Sequence, residues 1–188
     1  LDLLLEHMEE PIVESAAVAL YQLSKLAREH VTVVLSGEGG DEILAGYPLY
    51  RTMPKLDRFH RVGRLIPRDL PRWLGGHVMP SEKAAKYWDW IGTPLAKRYQ
   101  GISNDVTASV KSGMYQSEFA LQVGTGTRDY FEALFNKMQS GSDLRRMSYV
   151  DLKTWLPDDL LVKADKMTMA CSLELRVPLL DHHLLEFS

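Results

Sequence analysis

A short uncharged run of β-branched and aliphatic residues, Val31 to Leu35, empties directly into Ser36-Gly37-Glu38-Gly39-Gly40-Asp41-Glu42, a turn of glycine and acid. Such a run has the pattern of a strand buried on both faces. Glycine permits positive φ and close approach by another group, so a tight turn is expected where Gly39 and Gly40 follow Ser36-Gly37. A short helix is then expected over Glu42 to Ala45, with acids where the helix dipole favours negative charge. Strand, glycine turn and helix start are the parts of a ligand crevice at the carboxyl end of a parallel strand. Glu38, Asp41 and Glu42 crowd this turn. Carboxylates that close need a cation, a basic partner or a raised pKa.

The turn has no lysine and fits neither the Walker nor the dinucleotide pattern. An acidic glycine loop suits Mg²⁺ bound to a polyphosphate, because that metal bridges carboxylate to phosphate. The same residues are also compatible with a surface turn whose acids only cap a helix.

Helical periodicity continues on both sides. Leu1 to Met8 reads as a short helix, and Ile12, Ala16, Ala19, Leu20, Leu23, Leu26 and Ala27 recur at helical spacing up to His30, with Pro11 suited to the first turn. A helix followed by a buried strand is half of a doubly wound α/β unit. From Tyr50 to Trp73 the chain turns basic: Arg51, Lys55, Arg58, Arg61, Arg64, Arg68 and Arg72 face only Asp57 and Asp69. A solvated helical face is the reading preferred here. Ser81 caps a helix through Trp90, Gly101 to Gly113 wavers between weak helix and loop, and Gly124 to Thr127 reads as a linker or turn. Helices are expected over Arg128–Gln139 and Asp143–Leu156, the second capped by Ser142 or Asp143.

A second informative stretch runs from Trp155 to Asp181. Pro157 suits the first turn of a helix carrying Lys163, Asp165 and Lys166, with Met167 and Met169 as core filler. Glu174 and Arg176 share a face if extended, and Pro178 bars a central strand. Asp181-His182-His183 is a poor metal motif, because adjacent histidines on a helix do not share a face.

At 188 residues the chain is long enough for one substantial core, and 45% hydrophobic with 25% charged residues is ordinary for a globular protein. A net charge of -3 argues against nucleic acid as a partner. The single cysteine, Cys171, allows no internal disulfide and fits a reducing cytoplasm. No apolar run reaches the length of a membrane span and no signal peptide is visible, so no membrane partner is expected. The chain starts at Leu1 and stops at Ser188, both inside amphipathic patterns, and is expected to be an excised fragment. The expected fold is helix-rich α/β with few strands. Residues 1–50 would form the α/β part, 51–150 a mainly helical part, and 151–188 the second motif.

Ser36-Gly-Glu-Gly-Gly-Asp-Glu42, Ala45-Gly-Tyr47, and the run from Leu156-Pro-Asp-Asp159 through Leu173-Glu-Leu-Arg-Val-Pro-Leu-Leu-Asp181 together resemble the carboxy-terminal synthetase domain of glutamine-dependent asparagine synthetases. The resemblance runs from about Glu9 through Ser188 and is weakest between Arg51 and Leu144; β-lactam synthetase shares the architecture. It implies a Rossmann-like, adenine-nucleotide α-hydrolase-like fold with an added helical region. It also implies ATP and Mg²⁺, and activation of the aspartate β-carboxylate as an adenylate with release of AMP and pyrophosphate. Ammonia from a separate glutaminase domain then attacks. By resemblance Leu35, Ser36 and Gly37 lie against the nucleotide, Glu38 handles proton transfer at the acyl-adenylate, and Asp41 is a ligand of Mg²⁺-pyrophosphate. Lys163, Asp165, Lys166, Glu174 and Arg176 are carried to the active cleft, Lys163 and Asp165 as catalytic candidates.

Three departures bear on activity. The family's pyrophosphate loop, Ser-Gly-Gly-x-Asp-Ser, occurs nowhere in the chain, no amino-terminal cysteine is present, and a lysine expected beyond Ser188 is missing. The missing loop segment and the glutaminase domain are therefore expected partners, and the chain alone is expected to be inactive. Two other classes remain open from the residues. One is a non-catalytic helical interaction module, and the other a Mg²⁺-dependent phosphohydrolase with Asp41 as nucleophile, disfavoured because Ser36-Gly37 separate the strand end from the acids. Neither the acceptor substrate nor the oligomeric state, a homodimer included, is set by the sequence.

Overall fold

The computed structural model describes residues 6–8, 14–63, 93–102, 113–122, 126–138 and 141–187. Its elements are α1 (Ala16–Arg28), β1 (Val33–Leu35), α2 (Gly40–Leu44), α3 (Pro48–Gly63), α4 (Leu95–Arg98), α5 (Ser117–Gln122), α6 (Gly126–Lys137), α7 (Asp143–Lys153), a π-helical turn (Leu156–Leu161), α8 (Val162–Met169), β2 (Glu174–Arg176), a 3₁₀ turn (Pro178–Leu180) and α9 (His182–Phe187). Most of the expected Leu1–Met8 helix, Pro11, and the Ser81 to Trp90 helix lie outside the described residues. The chain divides into two compact units, Leu1–Gly46 with Asp151–Ser188, and Tyr47–Val150. Among the described residues no helix is long and apolar enough to cross a membrane.

The first unit is α/β. β1 and β2 pair in parallel, Val33 with Glu174, Val34 with Leu175 and Leu35 with Arg176. Parallel strands need a crossover rather than a hairpin, and each strand here follows a helix, α1 before β1 and α8 before β2. Those two helices pack together through Ala17 and Met167, 4% and 0% exposed, with Met8, Leu20 and Tyr21 against them. α8 ends where the Leu173 amide donates to the Thr168 carbonyl (3.1 Å) and Ser172 turns through φ 57°. That reversal delivers the chain into β2.

Three expectations are corrected in this unit. The strand is shorter than Val31–Leu35 and not buried on both faces: Val33 is 37% and Leu35 72% exposed. Alternation puts those two on one face, and no second layer covers that face among the described residues. The stripe expected on the first helix is also turned, with Leu23 and Leu26 exposed while Ala17 and Ser24 are buried. Ser24 tolerates burial because its hydroxyl donates to the Leu20 carbonyl at 2.7 Å. Met169, expected in the core with Met167, is exposed instead, since residues two apart on a helix face opposite ways.

The second unit is helical among the described residues. α3 buries Tyr50, Met53, Leu56 and Asp57 and leaves Arg51, Lys55 and Arg58 exposed, the solvated basic face expected from spacing. Leu95, Tyr99, Phe135, Met147 and Val150 are further core residues. Buried Asp57 accepts the Leu95 amide at the start of α4 (3.2 Å), and its carboxylate lies 3.6 Å from the Arg98 guanidinium. Arg98 also donates to the Met53 carbonyl (3.0 Å) and the Thr93 carbonyl (3.2 Å). Burial lowers the pKa of Arg98, opposed by Asp57 and Asp143. Ser142 caps α7 as expected, accepting the Arg145 amide at 3.3 Å. α6 begins at Gly126, inside the stretch expected to be a linker.

Removing one member of a buried ion pair strands the other charge and typically costs about 3–5 kcal/mol. Arg98→Ala is therefore expected to lower the unfolding free energy by roughly that amount in urea titrations, while Arg58→Ala on the exposed face stays within about 0.5 kcal/mol.

Candidate functional site

The glycine turn follows β1 at its carboxyl end. Ser36 extends the sheet by one bond, its amide donating to the Arg176 carbonyl (2.9 Å), and its hydroxyl accepts the Glu38 amide (3.3 Å). The turn closes when the Gly40 amide donates to the Gly37 carbonyl (3.1 Å) and Gly39 takes φ 85°. Leu179 and Leu180, from the 3₁₀ turn after β2, press onto Gly39 and Gly40, so that a Cβ on Gly39 would collide with the Leu180 side chain. The second motif thus grips the first. Gly37 differs: apart from its chain neighbours, a Cβ there would meet no atom of the described residues within 4 Å.

The three crowded acids separate into different surroundings. Glu42 is buried at 1% exposure, Glu38 is half-buried, and Asp41 is exposed. The Asp41 carboxylate fills the space that a Cβ on Gly46 would need, and the Gly46 amide donates to the Asp41 carbonyl (2.9 Å). Gly46 is thereby the reason the Asp41 side chain can lie where it does.

On α8 the aliphatic stem of Lys163 is buried and its ammonium forms an ion pair with the Glu14 carboxylate, just ahead of α1. Its charge also reaches Glu38 and Asp159. Burial pushes the Glu38 carboxyl above its ordinary 4.5; Lys163 pulls it back, and Glu42, Glu14 and Asp41 add to the rise. Asp159, in the π-helical turn, is raised from 3.8 by burial and by Glu14, again opposed by Lys163. Its Oδ2 is buried with no hydrogen-bond partner among the described residues.

The chemistry-bearing side chains named from sequence therefore fall into two groups. Glu38, Asp41 and Lys163 interact electrostatically around the turn, with Leu35, Ser36 and Gly37 leading into it. Asp165 is exposed, and two positions from Lys163 on a helix it projects from another face. Glu174 and Arg176 pair with each other at 2.8 Å on the open face of the sheet, an exposed pair of little energetic weight. Asp181 accepts the His183 amide (2.9 Å) as a helix cap. Among the described residues no three His, Cys, Asp or Glu side chains converge as a metal cage.

A family model described as asparagine synthase matches residues 1–188. The chain belongs to the asparagine synthase family. It is 42% identical over 93% of its length to a Bacillus subtilis protein named asparagine synthetase (glutamine-hydrolyzing) 1, of which it covers 27%. It is 36% identical over the same share to a Mycobacterium tuberculosis protein provisionally named asparagine synthetase (glutamine-hydrolyzing), of which it covers 26%. The chain thus spans about a quarter of the length of the curated relatives it matches. No solved structure matches it significantly.

Within this family member, Glu14 and Asp159 stand beside Lys163 without having been singled out in the sequence. Glu14 precedes α1 and looks like any acid favoured by a helix dipole. Only the return of α8 against α1 reveals its partner.

Two measurements check this geometry. Glu38 and Asp159 hold protons in the fold above 4.5 and 3.8, where the unfolded chain has already released them. Each therefore favours the fold at acid pH and loses that contribution as pH rises through its raised value. Stability is expected to decline as pH rises from those ordinary values through the raised ones and then to level off, and Glu38→Gln to flatten the decline in pH-dependent urea titrations. Gly39→Ala forces a left-handed Cβ into Leu180 and is expected to cost at least about 1–2 kcal/mol, whereas Gly37→Ala should stay within about 0.5 kcal/mol.

Proposed function

We propose that this chain supplies one wall of the synthetase site of an ATP-dependent amide-forming ligase, asparagine synthase (glutamine-hydrolysing). The reaction joins aspartate to ammonia derived from glutamine. ATP activates the β-carboxylate as an adenylate, and pyrophosphate and then AMP are released. The observation carrying this reading is the half-buried Glu38 just past the carboxyl end of a parallel strand, within the field of both Asp41 and Lys163. Family membership over the whole chain and the names of the relatives support it.

The residues present fit a nucleotide and its metal. Mg²⁺ is usually held by one or two carboxylates together with substrate phosphates rather than by an all-protein cage, and the exposed Asp41 carboxylate, given room by Gly46, would be such a ligand. The metal would offset phosphate charge as pyrophosphate departs. Leu35, Ser36 and Gly37 would line the nucleotide, the bare Cα of Gly37 allowing close approach. Glu38 is suited to exchange a proton, because burial raises its pKa above the ordinary carboxylate value. Lys163 would set the local charge. Asp165, being exposed, is retained only as a cleft-side candidate.

The remaining parts of the reaction would fall to a pyrophosphate loop and a glutaminase domain outside these residues, which the greater length of the relatives and their name, glutamine-hydrolyzing, support. The setting is expected to be cytoplasmic, and a homodimer is compatible with it.

The 188-residue chain alone is accordingly expected to show no aspartate-dependent ATP–pyrophosphate exchange; turnover by it would overturn the division of labour proposed. In the full-length protein, Glu38→Gln is expected to leave folding intact and suppress asparagine synthesis at least a hundredfold, the scale of lost general acid–base catalysis. Unchanged synthesis would refute the role of Glu38. Gly37→Ala should raise the KM for ATP without altering the melting temperature.

A further inference from the structure

We propose that Glu14 is a positioning residue of this site, whose carboxylate anchors the Lys163 ammonium and keeps that cation from collapsing onto Glu38. The inference rests on the synthetase reading for its consequence in turnover, but not for the contact itself.

Three separated stretches meet here. Glu14 stands ahead of α1, Lys163 lies on α8, and Glu38 lies in the turn after β1. The Lys163 side chain is 7% exposed, that of Glu14 is 33% exposed, and the two are directly paired. Within the field of the same ammonium stand two further carboxylates, Glu38 and Asp159, neither hydrogen-bonded to it among the described residues. One buried cation thus has three acids competing for it. Four flexible methylenes let a lysine head swing toward whichever acid holds it best.

With Glu14 neutralised, the ammonium gains by pairing with Glu38, one of the two other acids it already influences. A Glu38 carboxylate locked in an ion pair is a poorer proton acceptor and less free to meet a substrate. Glu14 therefore acts through Lys163 and need not touch substrate.

The test uses the full-length protein. Glu14→Gln keeps the side-chain shape and removes the charge; it is expected to lower kcat for asparagine formation at least tenfold while KM for ATP stays within about threefold. Glu14→Asp should recover part of that loss. Because Glu14 works through Lys163, the double variant Glu14→Gln/Lys163→Ala should be no slower than Lys163→Ala alone. A wild-type kcat in Glu14→Gln, or losses that multiply in the double variant, would overturn the proposal.

A second readout does not depend on turnover. Trace acetylation with acetic anhydride, read at Lys163 by peptide mass spectrometry, should be at least tenfold faster in Glu14→Gln than in wild type. Equal rates would overturn the anchoring. If the wild-type protein makes no asparagine yet Lys163 is protected by Glu14, the synthetase reading fails and the contact stands. Should Glu14→Gln fold poorly, Glu14→Gln/Lys163→Met removes the stranded charge and is expected to regain most of the lost melting temperature; no regain would overturn the pairing.

Discussion

Three residue pairs hold the α/β unit in register: Val33 with Glu174, Val34 with Leu175, Leu35 with Arg176. They join stretches that lie near opposite ends of the chain, so the entropy of closing that loop must be met before either motif has its shape. A three-residue ladder is too short to meet it alone. The Ala17–Met167 contact between α1 and α8, and the grip of Leu179 and Leu180 on the glycine turn, share the task. Each depends on the same register. Slipping β2 by one position would turn Leu175 outward and Glu174 and Arg176 inward, and would carry Leu179 and Leu180 off Gly39 and Gly40.

The same pairing creates an electrostatic problem. It brings Glu38, Asp41 and Glu42 toward Glu14 and Asp159, with Lys163 as the buried cation among them. Half-burial strengthens every interaction in the group, because water screens it less. An ordinary fold would dispose of such acids at its surface. In the function proposed above, a divalent metal carried on a polyphosphate would offset that excess of negative charge.

Much of this was legible in the sequence, and the exceptions share a cause. The strand, the left-handed glycine and the short helix after it follow from local rules, as do the Ser142 cap and the Glu174–Arg176 pairing across one strand face. The errors fall where a residue's setting is decided by a distant element. Leu23, Leu26 and Leu35 look like core from spacing, yet the layers that meet α1 and β1 among the described residues cover other faces. Ser24 and Lys163 look like surface, yet α1 and α8 bury them. Glu14 carries no local signature because its importance lies in a partner on another helix. Asp57 is similar: one of two acids in a basic segment, it proves to be the buried anchor for Leu95 and Arg98.

The turn at Leu156–Leu161 winds wider than an α-helix, with Pro157 near its start and Asp158 and Asp159 following. Such a segment corresponds to an α-helix that has absorbed one surplus residue, and each residue of an α-helix rotates the chain by about 100°. Within the α/β unit, that surplus sets the angle between buried Leu156 at the start of the turn and buried Lys163 just after it. Were a single position lost between them, the two could not both keep their present faces, and one would be turned about 100° toward water. The widened coil gives up regular winding for the bearing of one side chain.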